Sequence, residues 1–165
     1  GLIFLPYLAG ERTPHMDPRA RGMFLGLTTE HSQEHLTRAV MEGAILALFD
    51  AYSVLAELGA QPQRAVLAGG GARSLLWRQI VADVFGLPIF PLGDVEGSAL
   101  GAALLACVGL TGADPVSTAA AWAHYEPPVV PDSAAHAVYQ ELLPIFRDAY
   151  RKHREDFPRL AELRG

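Results

Sequence analysis

A run of three glycines, Gly69, Gly70 and Gly71, lies between two apolar segments of this chain. Residues 64–68 before the run predict a buried strand, and Ser74 after it begins a segment with helical spacing. Glycine has no Cβ, so a phosphate or a ribose can approach the main chain closely. The free N–H groups at the start of the following helix favour negative charge. The run therefore predicts a strand-to-helix turn that binds a phosphorylated ligand.

A tight turn without a ligand is the alternative for the same residues. Three consecutive glycines cost more conformational entropy than a plain turn requires, so the ligand-binding interpretation is favoured. The turn is not a Walker motif, because it lacks Gly-Lys-Ser, and it does not have the spaced glycines of the dinucleotide-binding fingerprint. Its chemistry is therefore left at a phosphate or ribose contact through main-chain atoms.

Apolar strands alternate with amphipathic helices along the chain, which predicts an α/β layer structure. The predicted strands are residues 2–5, 22–27, 64–68 and 87–92, and the predicted helices are residues 31–58, 74–86, 96–109, 115–123 and 134–157. The last helix is expected to place Val138, Leu142, Ile145, Phe146 and Tyr150 on one side. Such sheets bind ligands at the carboxyl ends of their strands, where the three glycines lie.

Composition excludes several classes of protein. The 165 residues are 50% hydrophobic and 19% charged, which is typical of one globular domain. The net charge of −5 argues against a nucleic-acid partner, and no apolar stretch is judged long enough for a membrane partner. The lone Cys107 predicts a buried structural thiol and a cytoplasmic location. His31 and His35 lack a third ligand, so no metal site is assigned.

Two further segments have open interpretations. The small residues of segment 96–103 suit either a flat pocket wall for a base or close packing of a helix, and packing is the simpler interpretation. The loop 10–15 carries charged residues between glycine and proline. It suits contact with a substrate, a link between two domains or a solvated loop, and the solvated loop is favoured on the residues alone.

Taken together, these motifs resemble the FGGY carbohydrate kinases. The pattern G-x-F-x-G-L at residues 22–27, followed by H-L-x-x-A-V-M-E at residues 35–42, is similar to that family's C-terminal signature. The sequence GGGARS at residues 69–74 resembles its adenosine-binding segment, and residues 96–103 resemble its helix beside the nucleotide. The loop at residues 6–18 is most similar to the xylulokinase branch of the family.

The resemblance implies a ribonuclease H-like, actin-like α/β domain with a mixed sheet and flanking helices, whose first strands are expected before Gly1. Residues 1–165 would form the C-terminal, nucleotide-binding domain of a two-domain enzyme. That enzyme would use ATP and Mg²⁺ to phosphorylate a sugar hydroxyl. By similarity, the nucleotide-binding residues would be Gly69, Gly70, Gly71, Ala72 and Ser74, with residues 96–103 helping to enclose the nucleotide.

The same resemblance implies that the acceptor sugar binds to an N-terminal domain and that the catalytic aspartate precedes Gly1. No catalytic residue is therefore assigned here, and the chain alone is expected to be inactive. The expected reaction is D-xylulose to D-xylulose 5-phosphate in a cytoplasmic enzyme that can form a homodimer. Gluconate, fuculose, ribulose or glycerol kinases, and a non-catalytic actin-like nucleotide-binding protein, remain alternatives.

Overall fold

The computed structural model describes residues 1–93 and 97–163. Its elements in chain order are β1 (Ile3–Leu5), β2 (Met23–Leu25), α1 (Gln33–Glu57), β3 (Ala65–Leu67), a 3₁₀ turn (Gly70–Arg73), α2 (Leu75–Phe85), β4 (Ile89–Pro91), α3 (Gly97–Thr111), α4 (Pro115–Trp122), α5 (Ser133–His153) and α6 (Asp156–Glu162). The predicted α/β class is confirmed. The chain divides into two compact units, one of Gly1–Gln61 with Ser133–Gly165 and one of Pro62–Asp132. The assignment of the whole chain to one nucleotide-binding domain remains a prediction.

The first unit is built around the contact between β1 and α1. β1 pairs with β2 in antiparallel orientation, with Phe4 opposite Phe24. All three residues of β1 are buried, because α1 packs directly on this strand. The two elements lie very close together at Gly43, where a Cβ would lie 2.1 Å from the backbone oxygen of Phe4. Glycine is therefore required at this position for the helix to reach the strand.

Helix α1 is long and apolar enough to cross a membrane by length and composition, contrary to the expectation from the sequence. One side of it packs against the rest of the first unit, although only 28% of its most apolar stretch is buried and Leu48 and Leu55 are 55% and 54% exposed. Ala39, Ile45 and Leu46 are buried, and so is the charged Asp50. A buried carboxylate requires a protein partner, and Asp50 has one in Arg147. Length and hydropathy alone therefore carry little weight for a membrane partner.

Helix α5 presents a different face from the predicted one. Phe146 and Tyr150 are buried as expected, whereas Val138 and Ile145 are 62% and 53% exposed. Tyr139 is buried instead, and its hydroxyl donates to Glu42 Oε1 at 2.8 Å. The remaining buried residues of this helix are Leu143 and Ala149. The helix also ends at His153, and Phe157 packs from the separate helix α6.

The second unit contains a parallel strand pair joined by α2. β3 and β4 pair in register from Ala65 opposite Ile89, and α2 supplies the crossover between them. Ser74 is the N-cap of α2 and Gly86 ends it in the left-handed conformation, with φ +64°. The prediction that β3 is buried is wrong, since Val66 is 52% exposed. β3 has a single hydrogen-bonded neighbour among the described strands, so its other edge pairs with none of them.

Helices α3 and α4 pack against each other and bury no residue. Cys107 on α3 is accordingly half-buried, so the prediction of a buried thiol is wrong. The apolar sequence of α3 suggested burial, but most of its residues are exposed. Burial depends on what covers a helix, and the helix's own composition does not determine that.

Candidate functional site

The glycine run forms a turn at the carboxyl end of β3, as predicted. Gly69 has a φ of +87°, a conformation that favours glycine, and the following residues form one 3₁₀ turn before α2 begins. Ala72 N donates to Gly69 O at 3.0 Å, and Ser74 N donates to Gly71 O at 3.1 Å. The chain thus reverses from strand to helix over few residues and leaves main-chain atoms near the surface.

The three glycines have different surroundings. A Cβ on Gly70 would meet no described heavy atom within 4 Å, and the same holds for Gly69. A Cβ on Gly71 would lie 3.0 Å from Trp77 Nε1, so this glycine lets the indole ring pack against the turn. The unobstructed main chain is therefore at Gly69 and Gly70, while Gly71 has a packing role.

A cavity of about 510 Å³ opens beside the turn. Its walls come from the turn, α2, the residues after β4, the start of α3 and the segment after α4. The lining residues are Gly69, Gly70, Ala72, Arg73, Arg78, Leu92, Gly93, Gly97, Ser98 and Glu126. The volume lies within the usual range for small-molecule sites, and the mixture of open backbone and a few charged groups suits a polar ligand.

The structure brings together part of the predicted set. Gly69, Gly70 and Ala72 line the cavity, whereas Gly71 and Ser74 are not among its lining residues. Ser74 Oγ accepts a hydrogen bond from Trp77 N at 3.2 Å, so its hydroxyl caps α2. Within the predicted segment 96–103, Gly97 and Ser98 line the cavity, and Glu96 lies outside the described residues. Nucleotide binding by the five predicted residues remains a prediction.

Sequence reasoning missed two charged residues of the cavity, Arg78 and Glu126. Arg78 Nη1 and Nη2 donate to Glu126 Oε2 and Oε1 at 2.5 and 2.8 Å. Hydrogen bonding to Arg78 lowers the pKa of the Glu126 carboxyl, and the same contact raises the pKa of Arg78. A basic residue within the apolar sequence of α2 was the available signal for Arg78. Nothing in the sequence around Glu126 indicates that it pairs with Arg78, because the two residues are 48 positions apart.

The charged loop 10–15 lies in the first unit. Glu11 Oε1 accepts from Arg12 N at 2.7 Å and from Thr13 N at 3.1 Å, which orders the tip of the loop. His15 stacks on Tyr150 with ring centroids 3.7 Å apart. The loop is thus fixed at one end by an aromatic contact.

Beside this stack lies a buried carboxylate, Asp50. Its Oδ1 accepts from Arg147 Nε at 2.5 Å, and its Oδ2 is 3.7 Å from His15 Nε2. Asp50 Oδ2 is buried without a hydrogen-bond partner in the described part of the chain. Burial lowers the pKa of His15 below its ordinary value, outweighing the attraction to Asp50. The histidine is therefore held mainly in its neutral form near pH 7.

The fold and the turn are those of an α/β domain with a ligand-sized cavity at the carboxyl ends of parallel strands. Residues 1–110 match the FGGY family of carbohydrate kinases, C-terminal domain. The chain belongs to this family.

Relatives of known name include two kinds of sugar kinase. The chain is 42% identical over 150 residues to the xylulose kinase of Escherichia coli K12, covering 90% of this chain and 31% of that protein. It is 37% identical over 166 residues to the gluconokinase of Bacillus subtilis 168, covering 98% of this chain and 32% of that protein. The chain therefore spans about a third of the length of these relatives.

Solved structures of the same two kinds of sugar kinase are also similar to this chain. A ligand-bound xylulose kinase from Lactobacillus acidophilus superposes with a TM-score of 0.87 at 34% identity, covering 96% of this chain and 32% of that one. A gluconate kinase from the same species gives 0.86 at 34% identity with the same coverage. A glycerol kinase from Plasmodium falciparum, solved with ADP, has a TM-score of 0.76 at 20% identity, over 92% of this chain and 30% of that one, which shows the shared fold alone.

Proposed function

We propose that this chain supplies the ATP-binding part of a sugar kinase. The observation that carries the proposal is the open main chain at Gly69 and Gly70 beside a cavity of about 510 Å³. Membership of a family of carbohydrate kinases supports the same reaction class. ATP, when bound, would supply the phosphoryl group that is transferred to a sugar hydroxyl.

The residues of the cavity fit a nucleoside triphosphate. The space beside Gly70 accepts a ligand because a side chain is absent there, and backbone N–H groups can hold phosphate oxygens without basic residues. The exposed guanidinium of Arg73 adds a positive charge to the wall. Gly97 and Ser98, at the start of α3, add small side chains to the lining. We propose that these groups bind and orient the nucleotide.

A magnesium requirement is proposed together with the nucleotide. No three His, Cys, Asp or Glu side chains in residues 1–93 and 97–163 are grouped to hold a metal ion. Mg²⁺ usually keeps several waters and binds through substrate phosphates rather than in a cage of protein ligands. The cavity is therefore compatible with a metal that is carried mainly by the phosphates.

The base that accepts the proton of the sugar hydroxyl is proposed to lie outside this chain. The described aspartates that are candidates for this base have protein partners. Asp50 accepts from Arg147, Asp17 Oδ2 accepts from Tyr150 Oη at 3.0 Å, and Asp83 Oδ1 accepts from Asp132 N at 2.8 Å. Asp94 lies outside the described residues. None of the three described carboxylates lines the cavity beside the glycine turn.

D-xylulose is the proposed acceptor, and D-xylulose 5-phosphate the product. Several relatives are xylulose kinases, including proteins from Escherichia coli and Klebsiella pneumoniae. Gluconate is the second candidate, because the gluconokinase of Bacillus subtilis aligns over almost the whole chain. A cytoplasmic location and a homodimer remain predictions.

Nucleotide binding is tested by titrating ATP into the full-length protein and its Gly70→Val variant. Valine would place side-chain atoms in the open space beside the turn, and we expect at least about tenfold weaker binding, or 1.4 kcal/mol. Gly109→Val is the matched control, because Gly109 is also unobstructed but does not line the cavity. Equal affinity of both variants for ATP would contradict the proposed site.

The acceptor is tested by measuring kcat/KM of the full-length protein for a panel of sugars with saturating ATP. D-xylulose should be the preferred substrate, with gluconate, ribulose, fuculose and glycerol as competitors. A preference for gluconate or glycerol would remove the xylulose assignment while leaving the sugar-kinase class intact. ATP binding without phosphorylation of any sugar would favour the non-catalytic alternative.

A further inference from the structure

Arg78 is a charged side chain in the interior of the second unit. It lies on α2 between the start of the helix and the buried residues Ile80, Val81 and Val84, and it is 9% exposed. A buried guanidinium is costly unless its hydrogen-bonding capacity is satisfied by partners of opposite charge. The hydrogen-bond partners of Arg78 therefore explain why a positively charged side chain is buried on α2.

The guanidinium of Arg78 contacts two separate segments at once. Its Nε donates to the backbone carbonyl of Ala72, within the glycine turn. Its other two nitrogens form a two-point contact with the carboxylate of Glu126. A planar guanidinium bound at both edges has little rotational freedom, which makes it a rigid spacer between turn and carboxylate.

Glu126 is itself anchored to the strands. Its backbone N donates to Pro91 O at 2.9 Å, at the end of β4. The preceding residue, Tyr125, forms a bridge with Leu92, whose own N donates to Leu67 O at 2.8 Å at the end of β3. The backbone of Glu126 therefore has a fixed position relative to the carboxyl ends of both strands, and the contact between its carboxylate and Arg78 connects that position to the turn.

The glycine turn needs such an anchor. Three successive glycines have wide conformational freedom, and a turn that must become ordered on binding loses affinity. Side chains that hold a binding element in its productive geometry reduce that cost. Both Arg78 and Glu126 line the same cavity as Gly69 and Gly70, so the contact acts at the proposed site itself.

We propose that Arg78 is a positioning residue for nucleotide binding, which holds the glycine turn through Ala72 and takes its own direction from Glu126. The inference rests on the proposed function, because it assumes that the cavity takes ATP. The competing explanation is that the pair only stabilises the fold of the second unit. The two explanations differ in which constants change: positioning affects ATP binding selectively, whereas lost stability leaves the affinity of the folded protein unchanged.

The test uses the full-length protein with Arg78→Met, Arg78→Lys and Glu126→Gln variants. Arg38→Met is the matched control, because Arg38 pairs with Glu42 and with Tyr139 in the first unit and does not line the cavity. The Kd for ATP is measured by calorimetry, KM for ATP, KM for the sugar and kcat by steady-state kinetics, and the melting temperature by calorimetric scanning.

We expect Arg78→Met to weaken ATP binding by about tenfold or more, as loss of a charged hydrogen bond would, with little change in KM for the sugar. Arg78→Lys should recover part of the affinity, and Glu126→Gln should fall between Arg78→Met and the wild type. Arg38→Met should lower the melting temperature and leave the Kd for ATP within about twofold, well below a tenfold change.

A Kd for ATP within about twofold of the wild type in Arg78→Lys and Glu126→Gln would overturn the inference while the proposed function stands, since a positioning role requires a clear loss. These two variants keep the test valid if Arg78→Met does not fold. Wild-type protein that fails to bind ATP would overturn the proposed function, and this inference with it.

Discussion

At the scale of single residues, Gly43 sets how closely α1 approaches β1. A methyl group at this position would lie 2.1 Å from Phe4 O and 3.2 Å from the Cβ of Phe4, so the helix would have to move. We expect Gly43→Ala to destabilise the protein by roughly 1–3 kcal/mol, the usual cost of overpacking. Gly109→Ala should instead stabilise it by up to about 1 kcal/mol, because the helix gains propensity in open space. Urea denaturation measures both, and equal effects of the two changes would contradict the packing argument.

His15 gives a prediction about pH. Its pKa is lowered by burial, the leading cause, while the carboxylates of Asp50, Glu11 and Asp17 oppose the shift and Arg151 adds to it. The unfolded chain, with the ordinary pKa of 6.5, binds a proton more readily than the folded chain. The contribution of neutral His15 is therefore complete above pH 6.5 and is lost as the pH falls from there to the folded pKa.

The measurement is the urea midpoint between pH 7.5 and pH 5 for the wild type and for His15→Phe. Phenylalanine can keep the stacking on Tyr150 and cannot titrate, so the midpoint of this variant should depend less on pH. Parallel pH profiles of the two proteins would show that His15 does not contribute.

The glycine turn could be predicted from the sequence because its signal is local. Three glycines between a strand and a helix permit a tight turn with a positive φ, whatever surrounds them. The partner of Arg78 could not be predicted, since Glu126 lies 48 positions away and only the tertiary fold brings the two together. The packing role of Gly71 against Trp77 was missed for a similar reason, because the direction of an absent Cβ depends on the turn actually formed.

At the scale of elements, the N-cap hydrogen bond of α2 gives Ser74 a structural role. Its hydroxyl accepts from Trp77 N, so Ser74→Ala should cost about 1 kcal/mol of stability. Ser74→Asn should recover most of that loss, because asparagine is an equally good N-cap. Thermal unfolding of the three proteins tests the cap, and no loss in Ser74→Ala would show that the hydrogen bond contributes nothing.

The periodicity of the sequence predicted which segments form helices and strands. It was less successful in predicting which face of each element is buried. Helix α5 has enough apolar residues for two possible faces, and the contact of Tyr139 with Glu42 belongs to the face that is buried. Its predicted end was too late as well, because residues between His153 and α6 form a turn that the apolar pattern does not mark. Composition also overstated burial for β3 and α3, whose covering elements cannot be read from their own residues.

At the scale of the whole molecule, family membership and catalytic competence are separate questions. At least 90% of this chain aligns with each of the two kinds of relative, but the alignments cover only 31% to 32% of the relatives' lengths. A kinase must bring a nucleotide, an acceptor and a base together in one closed site. The described residues supply a candidate for the first of these three requirements.

We therefore expect the 165-residue chain to bind ATP and to phosphorylate no sugar. Asp17, Asp50 and Asp83 already accept hydrogen bonds from protein groups, and none lines the cavity. ATP titration of the purified chain, followed by a coupled assay for ADP release with D-xylulose and with gluconate, measures both properties. The full-length protein is the control and should release ADP only when the sugar is present. Sugar-dependent turnover by the 165-residue chain would show that the base lies within it, and would require a new assignment among its own carboxylates.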